Sequence, residues 1–117
     1  MKKNIVTLTA LLTVSLSSWA QQPTTGNGSI KGVVTESNTK NAISFASVAI
    51  SANGHIISGD LTDEDGTFTI TNLPNTTVEV SVEYIGFKTY KNTVNLSTQK
   101  NVDLGTILLE LNEEVLD

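Results

Sequence analysis

The chain has 117 residues, with seven lysines, no arginine, twelve acidic residues and a formal net charge of −5 at pH 7. An acidic chain without arginine is poorly suited to nucleic acid or anionic lipid headgroups, which are bound mainly through basic side chains. Cysteine is absent, which excludes disulfides and thiolate metal sites, so a domain of this size must be held together by a packed core.

The N-terminus has the three parts of a signal peptide. Lys2 and Lys3 precede an apolar stretch over residues 5–16, and the small residues Ser18 and Ala20 stand at the −3 and −1 positions of a cleavage site. The apolar stretch is too short and too interrupted to span a membrane. We therefore expect an exported chain with no integral span after cleavage. An uncleaved amphipathic N-terminal helix is the alternative.

The rest of the chain is long enough for one domain. The composition divides it into a signal peptide over residues 1–20, a flexible lead-in over 21–28, a domain over 29–111 and a tail over 112–117. Within the domain, β-branched residues dominate, and short alternating runs are separated by Gly, Asn, Asp and Pro. Strands are predicted at about 29–35, 46–51, 55–62, 67–71, 77–84, 87–96 (one or two strands) and 102–111. This density of short strands is typical of a β-sandwich.

The run at 77–84 gives the clearest prediction of a core face. Val78, Val80, Val82 and Tyr84 alternate with polar residues and should share one face of a strand. Phe68 is expected in the core for the same reason. By contrast, residues 106–111 form a nearly continuous apolar run, which indicates a strand covered on both faces or bordering a partner.

Catalytic residue types are scarce. His55 is the single histidine and follows the Asn53-Gly54 turn, so we expect it on the surface. A general base needs an orienting partner and a catalytic zinc needs several ligands, and neither set can be assembled from one histidine and no cysteine. The sequence predicts a protein that is not an enzyme and has no cofactor.

Two groups of residues are candidates for binding. Asp60, Asp63 and Asp65 precede Gly66 and resemble the opening of a calcium loop, although Asp-Gly also makes ordinary hairpin turns and the closing acidic ligand is missing. Three neighbouring aromatic residues could form a contact surface for a protein or a carbohydrate. They are Tyr84, Phe87 and Tyr90.

Several ordered motifs resemble one family. They are SIKGVVT (29–35), AISFASVAI (42–50), TDEDGTF (62–68), NLP (72–74), VSVEYIGFKT (80–89) and NVDLGTILL (101–109). Together they resemble the carboxypeptidase regulatory-like domain. The resemblance implies a seven-stranded antiparallel Greek-key β-sandwich of the transthyretin (prealbumin) type.

The resemblance also carries a functional expectation. In zinc carboxypeptidases such a module is attached to the catalytic domain, and in many Gram-negative bacteria a similar module precedes the plug and barrel of TonB-dependent outer-membrane receptors. The YIGF form of residues 84–87 looks more like the second setting. It implies a non-catalytic module in the periplasm or at the outer membrane, whose partner is another envelope protein, bound through a sheet edge, or a receptor's plug and barrel. A calcium- or carbohydrate-binding module is the alternative.

Overall fold

A computed structural model of the chain describes residues 26–112. The signal-peptide prediction and most of the tail prediction lie outside these residues. Seven β-strands follow one another, and no helix occurs among the described residues. They are β1 (Gly28–Glu36), β2 (Ser47–Ala52), β3 (His55–Leu61), β4 (Thr67–Leu73), β5 (Thr77–Glu83), β6 (Tyr90–Asn95) and β7 (Asn101–Leu109).

The strands form two sheets, as the sandwich prediction required. One sheet has the order β4-β1-β7 and the other the order β3-β2-β5-β6. All neighbouring strands are antiparallel except β1 and β7, which run parallel. β1 and β7 are the first and last strands of the described chain. Their pairing therefore joins residues that are farther apart in sequence than those of any other strand pair.

The alternation of apolar residues produces the core. On β5, Val78, Val80 and Val82 are buried, while Glu79 and Glu83 are exposed on the outer face. Side chains on a strand point alternately to opposite faces, so one face of each sheet supplies the apolar layer between them. The two sheets bury one common cluster. It comprises Ile30, Val34, Ile43, Ala46, Val48, Ile50, Phe68, Ile70, Leu73, Val78, Val80, Val82, Val94, Leu96, Ile107 and Leu109.

The connections divide between two ends of the sandwich. We call lower end the end formed by residues 37–46, 62–66, 84–89 and 110–112, where β1, β3, β5 and β7 finish. The upper end carries the start of β1 and the connections 53–54, 74–76 and 96–100. Every turn of the described chain therefore belongs to one end or the other.

A buried threonine links two connections of the lower end through hydrogen bonds. Thr62, the buried polar residue of the described chain, is 1% exposed. Its Oγ1 donates to the carbonyl oxygen of Ile43 at 2.7 Å and accepts from the amide of Ala46 at 2.8 Å. The amide of Phe45 donates to the Thr62 carbonyl oxygen at 2.9 Å. Thr62 thus joins the connection before β2 to the connection after β3.

Three details differ from the sequence predictions. The strand predicted to end at residue 71 is longer, because β4 continues through Asn72 to Leu73, which is fully buried and pairs with Gly28. Gly28, placed in the lead-in, is the buried first residue of β1. Tyr84 was expected in the core, but β5 ends at Glu83 and the tyrosine is 37% exposed. The interpretation of Tyr84 as a core residue was therefore wrong.

Candidate interaction surface

Large exposed apolar side chains are concentrated at the lower end. Seven such side chains occur among residues 26–112, and six of them belong to the lower end or the strand ends that lead into it. The six are Phe45, Leu61, Tyr84, Ile85, Leu108 and Leu111. The seventh, Ile56, lies on β3 beside the 53–54 turn at the upper end. Scattered exposed apolar residues are normal on protein surfaces, but a concentration at one place indicates a contact surface.

The turn after β5 presents the most exposed of these residues. The amide of Phe87 donates to the carbonyl oxygen of Tyr84 at 3.0 Å, which closes a four-residue turn, and Gly86 has a φ of 88°. Only glycine adopts such a φ without strain, so the turn can form here. Ile85 stands at its tip and is 85% exposed. An apolar side chain held in this position is available to a partner.

The end of the described chain lies against the same turn. Leu111 forms an isolated antiparallel bridge with Phe87. On either side of it, the amide of Lys88 donates to the carbonyl oxygen of Glu110 at 2.8 Å, and the amide of Asn112 donates to that of Gly86 at 2.9 Å. The chain therefore leaves the described domain beside the exposed apolar residues of the lower end.

The three aromatic residues predicted as a contact surface have different environments. The rings of Tyr84 and Phe87 are tilted by 46° with centroids 5.9 Å apart, a favourable aromatic contact. Phe87 and Tyr90 are half-buried and pack against the core cluster. Of the three residues, only Tyr84 is exposed. The three side chains therefore combine a core-packing role with a surface role.

The sequence analysis missed Phe45 and Ile85. Ile85 follows Glu83 on the outward side of the predicted alternation, so its exposure could have been predicted from the period of two. Phe45 lies in a connection and has a φ of 61°, in the left-handed region that bulky residues rarely adopt. No pattern in the sequence indicates that conformation.

The acidic turn uses its main carboxylate to hold its own backbone. Asp63 Oδ1 accepts from the amides of Asp65 at 2.9 Å and Thr67 at 3.0 Å, and Oδ2 accepts from Thr67 Oγ1 at 2.6 Å. The side-chain hydrogen bond from Thr67, followed by that from the Thr67 amide, lowers the pKa of Asp63 from its ordinary value of 3.8. Asp63 therefore acts as the cap of a turn.

The other two predicted calcium ligands are not brought together with it. Asp60 Oδ1 accepts from the amide of Leu61 at 2.8 Å, and Asp65 contributes its amide to the turn. No group of three or more Asp, Glu or His side chains in the described part of the chain is placed to hold a metal ion. His55 is exposed at the start of β3, where the sequence analysis placed it.

The fold and this surface define a class of protein, a small all-β sandwich with exposed apolar side chains concentrated at one end. Residues 30–116 match the family model of the CarboxypepD_reg-like domain. The chain belongs to this carboxypeptidase regulatory-like family. No curated protein matches the chain.

Solved structures of the same fold come from proteins of different kinds. The backbone protein of group B streptococcus pilus 2b is 16% identical, with a TM-score of 0.59, over 75% of this chain and 42% of that one. The shaft pilin SpaA from Lactobacillus rhamnosus GG is 13% identical, with a TM-score of 0.54, over 78% and 48%. A 9R-lipoxygenase from Cyanothece is 18% identical, with a TM-score of 0.57, over 84% and 20%.

These likenesses establish the fold and no more, because they lie far below the identity at which function is shared. The chain spans less than half the length of each of these three proteins. The pilin neighbours share the β-sandwich architecture of this domain. None of the residues 26–112 belongs to a helix long and apolar enough to cross a membrane.

Proposed function

We propose that this protein is a structural, protein-docking module of the cell envelope, with no catalytic activity of its own. The observation that carries the proposal is the concentration of exposed apolar side chains at the lower end, where Ile85 is 85% exposed beside Tyr84 and Leu111. Exposed apolar area of this kind is costly in water unless a partner covers it.

The residue types of the chain support a docking role over catalysis. The one histidine stands on the surface at the upper end, away from the apolar residues of the lower end. The carboxylate with a lowered pKa, Asp63, is engaged with the amides of Asp65 and Thr67 and with the Thr67 hydroxyl of its own turn. An enzyme site requires such groups to converge on one substrate position.

The finer part of the proposal concerns the setting. The signal-peptide pattern of residues 1–20 and the family membership support export to the periplasm, at or near the outer membrane. The YIGF turn at residues 84–87, which resembles the receptor-associated form of the family, supports a role as the N-terminal extension of a TonB-dependent receptor. The partner is then either a plug and barrel or another envelope protein.

The setting is tested by detecting the protein in its own cells. An antibody against the purified domain is used on cytoplasmic, periplasmic and outer-membrane fractions, and the apparent mass of the detected band is compared with that of the 117-residue chain. A band in the outer-membrane fraction with the mass of a receptor supports the N-terminal extension. A band of domain size in the periplasm supports a module that docks onto a separate protein. A band confined to the cytoplasm contradicts the envelope setting.

A further inference from the structure

We infer that the lower end binds a protein surface that has an apolar centre and a rim of lysine and arginine side chains. The inference rests on the proposed docking function and goes beyond it by defining the chemistry of the partner. The observations that carry it are the distribution of charge between the two ends, the free carboxylates among the apolar side chains, and the backbone conformation of Phe45.

The net charge of the described residues belongs entirely to the lower end. Six carboxylates and two lysines occur in its connections or at the strand ends next to them. The carboxylates are those of Glu36, Asp63, Glu64, Asp65, Glu83 and Glu110, and the lysines are Lys40 and Lys88. The remaining described residues carry three lysines and three carboxylates, which cancel. The negative field of the domain is therefore centred on the end that also presents the apolar side chains.

Half of these six carboxylates are free to meet a partner. Asp63 caps its own turn, Glu36 accepts from Thr39 Oγ1 at 2.9 Å, and Glu110 lies 3.7 Å from Lys88 Nζ. The remaining three have no side-chain hydrogen bond or ion pair to any other described residue. They are Glu64, Asp65 and Glu83. Free carboxylates around an apolar surface attract a partner with complementary charge and disfavour other partners.

Phe45 adds an independent observation. Phe45 is 61% exposed, and its backbone has a φ of 61°, a conformation that bulky residues rarely adopt. The hydrogen bonds of Thr62 hold the connection in this form, with Phe45 itself donating to the Thr62 carbonyl oxygen at 2.9 Å. Strained backbone positions cluster at functional sites, and this one presents a large apolar side chain to solvent.

The negative charge of the lower end favours a basic partner protein over a second copy of this chain. A second copy docked lower end to lower end would bring two sets of six carboxylates together, and this repulsion acts at the short distances of an interface. Among the described residues, the upper end of a second copy offers mainly polar side chains, such as Asn53 and Asn75, and one large exposed apolar side chain, Ile56. A partner with apolar and basic side chains satisfies both features of the lower end.

The test uses a phage-displayed library of random peptides as the probe. The purified chain selects peptides from the library, and each selected peptide is titrated against three variants. Ile85→Ser removes the most exposed apolar residue of the lower end. Ile56→Ser is its matched control, because Ile56 is a similarly exposed isoleucine at the upper end. A triple variant neutralises Glu64, Asp65 and Glu83, and its control neutralises Asp60, Glu79 and Asp103, the described carboxylates outside the lower end.

We expect selected peptides to combine apolar residues with Lys or Arg. Ile85→Ser should weaken their binding by about tenfold or more, while Ile56→Ser leaves it unchanged. The triple variant at the lower end should weaken binding and reduce its dependence on salt, and its control should do neither.

The outcomes separate this inference from the proposed function. Selected peptides whose binding depends on Ile85 but which are acidic or uncharged would contradict the inference of a basic partner. They would still support the proposed docking function. Failure to select any peptide that depends on Ile85 would contradict both. Sedimentation of the same preparation tests self-association, and a dimer abolished by Ile85→Ser would assign the surface to a second copy instead.

Discussion

Replacing Thr62 by valine should destabilise the domain, because it removes the hydrogen bonds of the side chain that link two connections of the lower end. Valine has nearly the shape of threonine but lacks the hydroxyl, which makes one hydrogen bond to the Ile43 carbonyl oxygen and one from the Ala46 amide. Ile43 and Ala46 are themselves buried, at 6% and 0% exposure, so water cannot replace the lost bonds easily.

The expected loss follows from these two bonds. A buried polar group left without its partner costs about 1–3 kcal/mol, so two such groups give an expected loss of about 2–6 kcal/mol. This is a substantial part of the ~5–15 kcal/mol by which a domain is usually stable. Thr62→Ser keeps both hydrogen bonds and removes only a methyl group, so its expected loss is about 1 kcal/mol.

Urea unfolding followed by far-ultraviolet circular dichroism measures both variants. The midpoint should fall more for Thr62→Val than for Thr62→Ser, with unchanged slopes of the unfolding transition. If Thr62→Ser lowers the stability as much as Thr62→Val, the packing of the methyl group, and not the hydrogen bonds, is what links the two connections. A loss below about 0.5 kcal/mol for valine would refute the reasoning, because it lies under the net value of even one such hydrogen bond.

Three further results are expected. Gly66→Ala should destabilise the domain more than Gly54→Ala. Both glycines have a positive φ, but only at Gly66 would the new Cβ clash, because it would lie 2.5 Å from the Val34 carbonyl oxygen. Equal urea midpoints for the two variants would contradict this prediction. Because the pKa of Asp63 is lowered in the folded state, its stabilising effect is complete above the ordinary value of 3.8 and is lost as the pH falls through the folded value. Asp63→Asn should therefore flatten the acid side of the stability curve, and a curve parallel to that of the unmodified protein counts against the turn cap. Calcium chloride should leave the melting temperature unchanged, because the Asp63 carboxylate is already engaged with Thr67; a rise that depends on Asp63 would instead support the calcium alternative.

The sequence predicted the sandwich well because its strands alternate regularly. On β5 the period of two placed three valines correctly, and the Asn53-Gly54 turn separated β2 from β3 as expected. Local patterns of this kind depend only on neighbouring residues.

The predictions that failed depend on irregular backbone. The strand at 67–71 was predicted too short. Asn72 adopts a φ of 58° inside β4, where the register with β1 shifts, and the strand continues so that Leu73 enters the core. Tyr84 continued the alternation of β5, yet the turn closed by Phe87 begins at this residue and turns the chain away from the core. The parallel pairing of β1 with β7 is set by the closure of the whole fold, which no single strand pattern encodes.

The candidate surface was only partly predictable for the same reason. The continuous apolar run at 106–111 suggested a strand covered on both faces or bordering a partner. In the described domain β7 is covered on one face, because Ile107 and Leu109 are buried and Leu108 between them is 46% exposed. The gathering of Phe45, Leu61 and Ile85 at one end depends on how three connections meet, and this follows from the topology rather than from spacing in the chain.

Photo-crosslinking in the native cell tests the docking function most directly. A photoreactive amino acid is placed at Ile85 in one strain and at Ile56 in another, and the products are resolved after irradiation. The docking account predicts one discrete crosslinked product from position 85, to a second protein or within a longer chain, and none from position 56, although both side chains are highly exposed. Equal crosslinking from the two positions, or none from position 85, would contradict it.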